Sequence, residues 1–273
     1  RSAVSNELII VDTGSEDNTV NIARKYTDKV YFHEWNNNFS EMRNKTIDYA
    51  KGEWLLIIDA DEEVTKTDGL IQFLTNKQKE AVKGAAFPVK NFTSESNFAM
   101  LSSVRVFRND GKFHYKGAIH NTPVFNGAAV AIDAMINHYG YISTDKELME
   151  RKFKRTGDLL KQELEKDPDN IYYRYQLSVT YSMHMDGEES YEEICKAYES
   201  MHRKGLNSSQ FIYVYGQYAK ACIDRNLYKR AEEICLEGLT IEGEYIDLYY
   251  YLGQSQAVLK KDSDAVASFE KFL

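Results

Sequence analysis

Apolar and polar positions follow two different rhythms along this chain, and the change falls near residue 140. In the first half, short continuous apolar runs alternate with amphipathic stretches. Glu7 to Asp12 reads as a buried strand, because an unbroken apolar run suits a strand covered on both faces. Thr13-Gly14-Ser15 follows as a turn, then Val20, Ala23 and Tyr26 at helical spacing, then a short strand over 29–33. Ser40 as N-cap and Gly52 as terminator bracket a helix with Phe39, Met42, Thr46 and Ala50 on one side. Trp54 to Ile58 is the clearest buried strand, and it ends in Asp59-Ala60-Asp61. Strand, helix, strand, helix, strand implies βαβ units and a mostly parallel sheet, an α/β architecture.

Beyond residue 84 the spacing shifts. Residues 85–89 and 104–108 read as strands, and Asn109-Asp110-Gly111 predicts a tight turn joining Val104–Phe107 to Lys112–Tyr115. This stretch reads as an antiparallel extension of the sheet, completed by 130–132 and 136–139. The second half is helical throughout. A charged segment from Asp145 to Lys166 precedes a stop and restart at Asp167-Pro168-Asp169-Asn170. Ala219 and Gly253 are 34 residues apart, and so are Ala231 and Ala265. Small residues at that period, where two helices cross closely, form the tetratricopeptide (TPR) pattern. An earlier, irregular copy holds Leu177, Tyr181 and Tyr191 to Ile194, with extra residues expected around His184 to Glu188. The segment from Asp145 to Lys166 is placed to cap the array. The last copy stops at Leu273 without an evident capping helix, which implies that the natural chain continues.

Composition sharpens the division. Sixteen of the 20 tyrosines lie from residue 139 onward, as do all three cysteines, so two units are expected: 1–142, α/β, and 143–273, helical. A net charge of −8 argues against a general nucleic-acid binder, which needs a basic face. No stretch approaches the roughly 20 consecutive apolar residues of a membrane helix. Cys195, Cys222 and Cys235 are odd in number and form no Cys-x-x-Cys pair, so a reducing, cytoplasmic setting is the simpler expectation. No signal peptide is visible. The chain opens at Arg1 without a Met, so an upstream piece is expected to be missing.

The candidate chemistry sits where strands end. Ligands of open parallel sheets bind beyond the carboxyl ends of the strands. Here one strand ends in Asp12 and another in Asp59 and Asp61. An Asp-x-Asp pair offers hard oxygen ligands suited to Mg²⁺ or Mn²⁺, which would bridge carboxylate and diphosphate. A solvated turn is the plain alternative.

Leu8 to Thr19 resembles the nucleotide-sugar-binding start of family 2 glycosyltransferases with the GT-A fold, Phe39 to Asn44 their second signature, and Gly52 to Glu62 their Asp-x-Asp strand. The order and spacing are the family's. Val104 to Asn109, Ile119-His120 and Asn137 to Tyr141 look like the subgroup in which TPR repeats follow this domain, a subgroup that includes peptide S-glycosyltransferases acting on bacteriocin precursors. The resemblance implies that Asp12 accepts a hydrogen bond from the base and that Arg43 lies beside the base or diphosphate. It implies that Asp59 touches the ribose or the metal, that Asp61 ligates the metal, and that His138 supplies a late metal or diphosphate contact. Arg43 as a surface arginine, and His138 and His120 as structural histidines, are the plain alternatives.

Two departures stand out. The family's first strand, with its acidic end, is absent, and Arg1 to Val4 looks like the end of the helix that follows it. His120-Asn121 stands where related sequences often show His-Glu, and an amide cannot serve as a catalytic base. Glu95 and His120 are the substitute candidates. A thiol acceptor, which ionises more readily than a hydroxyl, would need less help. The sequence therefore points to an inverting, metal-dependent transferase. It would use a nucleoside-diphosphate sugar, in the first instance a UDP-sugar, and a peptide, protein or saccharide acceptor. A non-catalytic TPR scaffold with a degenerate sugar-nucleotide domain is the alternative; a nucleotidyltransferase is a weaker one.

Overall fold

A computed structural model of the chain describes residues 7–78, 80–94, 96–140 and 146–273. Its contacts divide it into two compact units, 1–149 and 150–273.

In the first unit the elements run β1 (Ile10–Asp12), α1 (Thr19–Ala23), β2 (Val30–Phe32), α2 (Phe39–Tyr49), β3 (Trp54–Leu56), β4 (Glu62–Lys66) and α3 (Asp68–Thr75). There follow β5 (Val82–Phe92), β6 (Phe98–Arg108), β7 (His114–Lys116), β8 (Thr122–Val124), β9 (Ala128–Ala131) and β10 (Met135–His138). β1 and β2 pair in parallel. A larger sheet has the order β3-β6-β5-β10-β4, with β9 also pairing β5. Within it β5 runs parallel to β9 and β10, while β6 is antiparallel to β3 and β5, and β4 is antiparallel to β10. The antiparallel share is larger than the helix–strand rhythm suggests, since β6 runs against both β3 and β5 and β4 against β10. Exposed residues such as Phe98 to Ser102 continue the β5–β6 ladder past the packed region.

Two local readings are corrected. The turn at 109–111 does not join a hairpin: β6 pairs with β5 and β3, and β7 pairs with β8. Helix α2 is capped by Asn38, whose side chain accepts from the Glu41 N–H, and it ends at Ala50, whose backbone is extended. Ser40 instead lies inside the first turn and donates to Asn38 Oδ1 at 2.9 Å.

The centre of the larger sheet is packed on both faces. Leu70 and Phe73 of α3 pack with Ala85, Phe87, Val89, Val106 and Ile136. On the opposite face Leu55, Phe107, Phe113 and Tyr115 form a second cluster, in which Phe107 and Phe113 stack at 4.0 Å. Val106 and Phe107 are consecutive and serve opposite faces, as a strand's period of two requires. Helix α2 joins the pieces. Its Tyr49 stacks on Tyr31 of β2 at 3.6 Å, and its Asn44 clamps the Tyr115 main chain through bonds of 2.8 and 3.0 Å.

The second unit is built on helices α4 (Lys146–Lys166), α5 (Ile171–Met183), α6 (Gly187–Arg203), α7 (Ile212–Asp224), α8 (Tyr228–Ile241), α9 (Ile246–Val258) and α10 (Asp262–Phe272). Phe153 of α4 stacks on His184 at 3.6 Å and meets the edge of Tyr181, which covers part of α5. α5–α6, α7–α8 and α9–α10 are helix pairs. Ala219, Ala231 and Ala265 are buried at their crossings, and a Cβ on Gly253 would approach Phe269 to 2.8 Å. The first pair uses Ser178 and Ser190 at these positions, hydrogen-bonded to each other at 3.1 Å and also 12 residues apart.

The irregularity of that first repeat lies elsewhere than the sequence suggested. Three residues link the helices of every pair, at 184–186, 225–227 and 259–261. The excess is in α6, with 17 residues against 14 in α8, and in the eight residues 204–211, where four (242–245) suffice in the next repeat. Among the described residues, no helix is long and apolar enough to cross a membrane.

Candidate active site

β3 delivers Asp59 to Asp61 at its carboxyl end, where Ile57 N still donates to the Arg105 carbonyl at 2.9 Å. The chain then turns, with Glu62 N bonded to the Asp59 carbonyl, and returns as β4. Glu62 holds this turn. Its Oε2 accepts from Asp59 N at 2.9 Å, and its Oε1 accepts from Arg105 at 2.6 Å. Arg105 reaches it because β6 carries a bulge: Ala85 pairs with Val106 and Ala86 with Val104, leaving Arg105 as the extra residue. Bulges beside sites commonly re-aim a side chain in this way.

Arg43, on α2, donates to both oxygens of Asp59 at 2.6 and 2.8 Å. Its guanidinium carbon lies 5.2 Å from the centroid of Tyr115. Burial pushes the Arg43 pKa down, but the Asp59 charge and hydrogen bond outweigh it, and the net shift is upward. Arg43 is therefore an interior partner rather than a solvated surface group. Burial also raises the Tyr115 hydroxyl pKa, against the opposing charge of Arg43.

Asp61 faces His138, with Oδ2 and Nε2 3.5 Å apart. Strand pairing sets this meeting. His138 lies opposite Glu62 in β4 and beside Asn91 in β5, and Tyr139 N donates to the Asp61 carbonyl at 3.0 Å. Asn91 Oδ1 sits 2.8 Å from His138 Nδ1, which places the ring proton there and aims Nε2 at the carboxylate. Gly140 completes the corner. A Cβ there would collide with Asp61 Oδ2 and lie 2.6 Å from His138 Nε2, so only glycine leaves that space open.

Four of the sequence candidates thus converge in two pairs, Arg43 with Asp59 and Asp61 with His138, joined by the Glu62 turn. Asp59 is given to Arg43 and not to Asp61. Asp12 ends β1, which packs on α2. Its carboxylate accepts from Gly14 N at 3.1 Å and Ser15 N at 3.3 Å, in a turn that needs the positive φ of Gly14 (116°). Hydrogen bonding from Ser15, with help from the Gly14 N–H, holds the Asp12 pKa below its usual range despite burial. Beyond this turn an open concavity is lined by Gly14, Ser15, Glu16 and Asp17. His120 lies in the β7–β8 loop with a left-handed backbone (φ 49°). The residue is exposed overall, yet burial by the surrounding protein pushes the imidazole pKa down, which favours the neutral form at pH 7. The same loop accepts Phe39 N, at the start of α2, on the Ala118 carbonyl at 2.8 Å. Glu95 lies outside the described residues.

Sequence reasoning missed Glu62, Arg105, Asn91 and Gly140 as site builders. A lone arginine among Val104, Val106 and Phe107 was the one local signal, since a charge in an apolar strand needs a buried partner.

The donor set suits a divalent ion in part. Among the described residues, no three His, Cys, Asp or Glu side chains gather as a metal set. One carboxylate and one imidazole beside an open space fit an ion that takes its other ligands from diphosphate and water.

A glycosyltransferase, SunS, of Bacillus subtilis is 29% identical over 179 residues, which cover 60% of this chain and 40% of that protein. A TPR repeat-containing protein of Synechococcus elongatus is 29% identical over 151 residues, covering 50% of this chain and 36% of its own. The chain thus spans about two-fifths of the length of these curated relatives. A crystal structure of MamA covers 48% of this chain and 74% of its own, at 20% identity and a TM-score of 0.41. The family model for glycosyl transferase family 2 matches residues 3–139, half of the chain, and the chain belongs to that family.

Proposed function

We propose that this chain transfers a sugar from a nucleoside-diphosphate donor, in the first instance a UDP-sugar, to an acceptor with inversion at the anomeric carbon. The observation that carries the reading is the convergence of Arg43–Asp59 and Asp61–His138 on one turn at the end of β3. Asp61 and His138 would hold Mn²⁺ or Mg²⁺. When bound, the ion neutralises charge on the departing diphosphate. Asp59 fixes Arg43, whose remaining N–H groups would donate to the diphosphate. The Gly14 and Ser15 N–H groups hold the Asp12 carboxylate, which would accept a hydrogen bond from the donor's base. His138 is held by Asn91 in the tautomer that presents Nε2.

In the transfer, the acceptor's oxygen or sulfur bonds to the anomeric carbon as the carbon–oxygen bond to diphosphate breaks, and the acceptor proton passes to a base. His120 is the described candidate: it is neutral at pH 7 and on a loop tied to α2. A peptide or protein acceptor is favoured by the TPR repeats of the second unit, since such arrays form concave surfaces; a saccharide is the competitor. Hydrolysis of UDP-sugars with Mn²⁺ tests the reading. The parent should release UDP, and Asp61→Ala should release it at least ~100-fold more slowly, on the scale of losing one charge-stabilising group. A parent that turns over no donor would favour the scaffold alternative, which the Asn121 departure supports.

A further inference from the structure

Strand β6 is paired on both edges only over part of its length. β3 covers Val106 to Arg108 and reaches Arg105 through Ile57. From Phe98 to Ser102 only β5 pairs with it among the described residues. Thr93 N donates to the Asn97 carbonyl, which sets the phase of this antiparallel ladder. Ala99, Leu101 and Ser103 therefore bond inward to β5, and Phe98, Met100 and Ser102 turn their N–H and C=O groups outward. Pro88 agrees with this phase, since it lies opposite Ser102, where no bond to β6 is needed.

The side chains here are unusual for an edge. Five consecutive residues, Phe98 to Ser102, are exposed, and Phe98, Met100 and Leu101 are 45, 51 and 65% accessible. Natural edges are commonly guarded by charge or proline on the strand itself; this segment has neither. The open edge begins where β3 ends and the Asp59–Asp61 turn departs, and Ser102 lies three residues, about 10 Å, along the strand from Arg105. By register Ala99 and Leu101 share a face with Asn91 and His138.

We propose that this edge docks an extended peptide acceptor as an added strand, which leads its nucleophile toward the Asp61–His138 corner; the inference rests on the glycosyl-transfer reading. Outward amides spaced two residues apart are complemented by another amide chain, and a saccharide offers no such repeat. Exposed Phe98, Met100 and Leu101 add apolar contact for alternate side chains of that strand. The outward amides of Phe98, Met100 and Ser102 thus favour a peptide over a sugar as acceptor, from the first unit alone.

The test uses the full chain with Mn²⁺, a pool of UDP-glucose, UDP-galactose and UDP-N-acetylglucosamine, and a library of acetylated nonapeptides with a central Cys or Ser. Labelled peptides are identified by mass, and donor hydrolysis is measured in parallel. Met100→Pro removes one outward N–H and leaves the β5 ladder intact, while Met100→Ala keeps the N–H. The loss of peptide kcat/KM in Met100→Pro should exceed its loss of donor hydrolysis at least tenfold, with Met100→Ala within threefold of the parent. Independently of protein variants, N-methylation of alternate amides of the best peptide should abolish transfer in one phase and spare it in the other. Equal transfer by Met100→Pro, indifference to N-methyl phase, or donor hydrolysis with no peptide labelled overturns the proposal. So does a parent dimer that Met100→Pro dissociates, which would give the edge to a second copy. A parent that hydrolyses no donor overturns the glycosyl-transfer reading and this inference with it.

Discussion

With its side chain 1% accessible, Glu62 has no water to satisfy its oxygens, and Asp59 N–H and Arg105 do so instead. Replacing it by Gln keeps the shape and removes the charge, leaving Arg105, whose Nε already has no hydrogen-bond partner among the described residues, uncompensated. Glu62→Gln should cost about 3 kcal/mol, the scale of breaking one side of a buried ion pair, read as a lower urea midpoint at unchanged slope. Gly140 acts on a different quantity. Gly140→Ala should leave the melting temperature close to the parent's, because the nearest atoms its methyl meets belong to the partly exposed Asp61–His138 pair. It should weaken Mn²⁺ binding at least ~10-fold by pushing those groups apart; unchanged affinity would mean that the space beside them is not used. Arg43, Asp59, Asp61 and His138 were legible because acids at the ends of apolar strands, and the family's motifs, mark them. Glu62's partner Arg105, and Asn91 beside His138, lie more than 40 residues away in sequence and depend on a bulge and a register. No local pattern encodes those.

Among elements, the repeats show the same division. The 34-residue spacing of Ala219 with Gly253 and of Ala231 with Ala265 was readable because close helix crossings accept only small residues. In the first repeat Ser178 and Ser190 fill these places and bond to each other, so a search for Ala or Gly passes over them. The three inter-helix turns are alike. Met185, Asn226 and Lys260 each take a left-handed backbone (φ 68°, 59° and 59°). The N–H one residue later returns to the carbonyl five residues before it, as Lys261 does to Gln256 at 2.9 Å. This is the helix-ending motif usually built on glycine. Lys260→Gly should therefore stabilise the helical unit by about 0.5–1 kcal/mol, since a side chain in that region is strained. A lower midpoint in chemical denaturation would show that Lys260 makes a compensating contact. The 109–111 turn misled because its residues favour tight turns anywhere, whereas pairing depends on which strands flank β6.

On the scale of the molecule, an α/β unit of family 2 glycosyl transferase type is followed in the chain by TPR repeats, and both were legible from the change in apolar rhythm near residue 140. Asp61 and His138 are proposed to bind a divalent ion jointly with the donor's diphosphate. Titrating Mn²⁺ into the protein with and without UDP, followed by the electron paramagnetic resonance signal of free Mn²⁺, tests it most directly. UDP should tighten Mn²⁺ binding, and Asp61→Ala and His138→Ala should each weaken the UDP-dependent affinity at least ~10-fold. Mn²⁺ affinity that is indifferent to UDP, or equal in parent and both variants, would rule out a shared ion and diphosphate site at these residues.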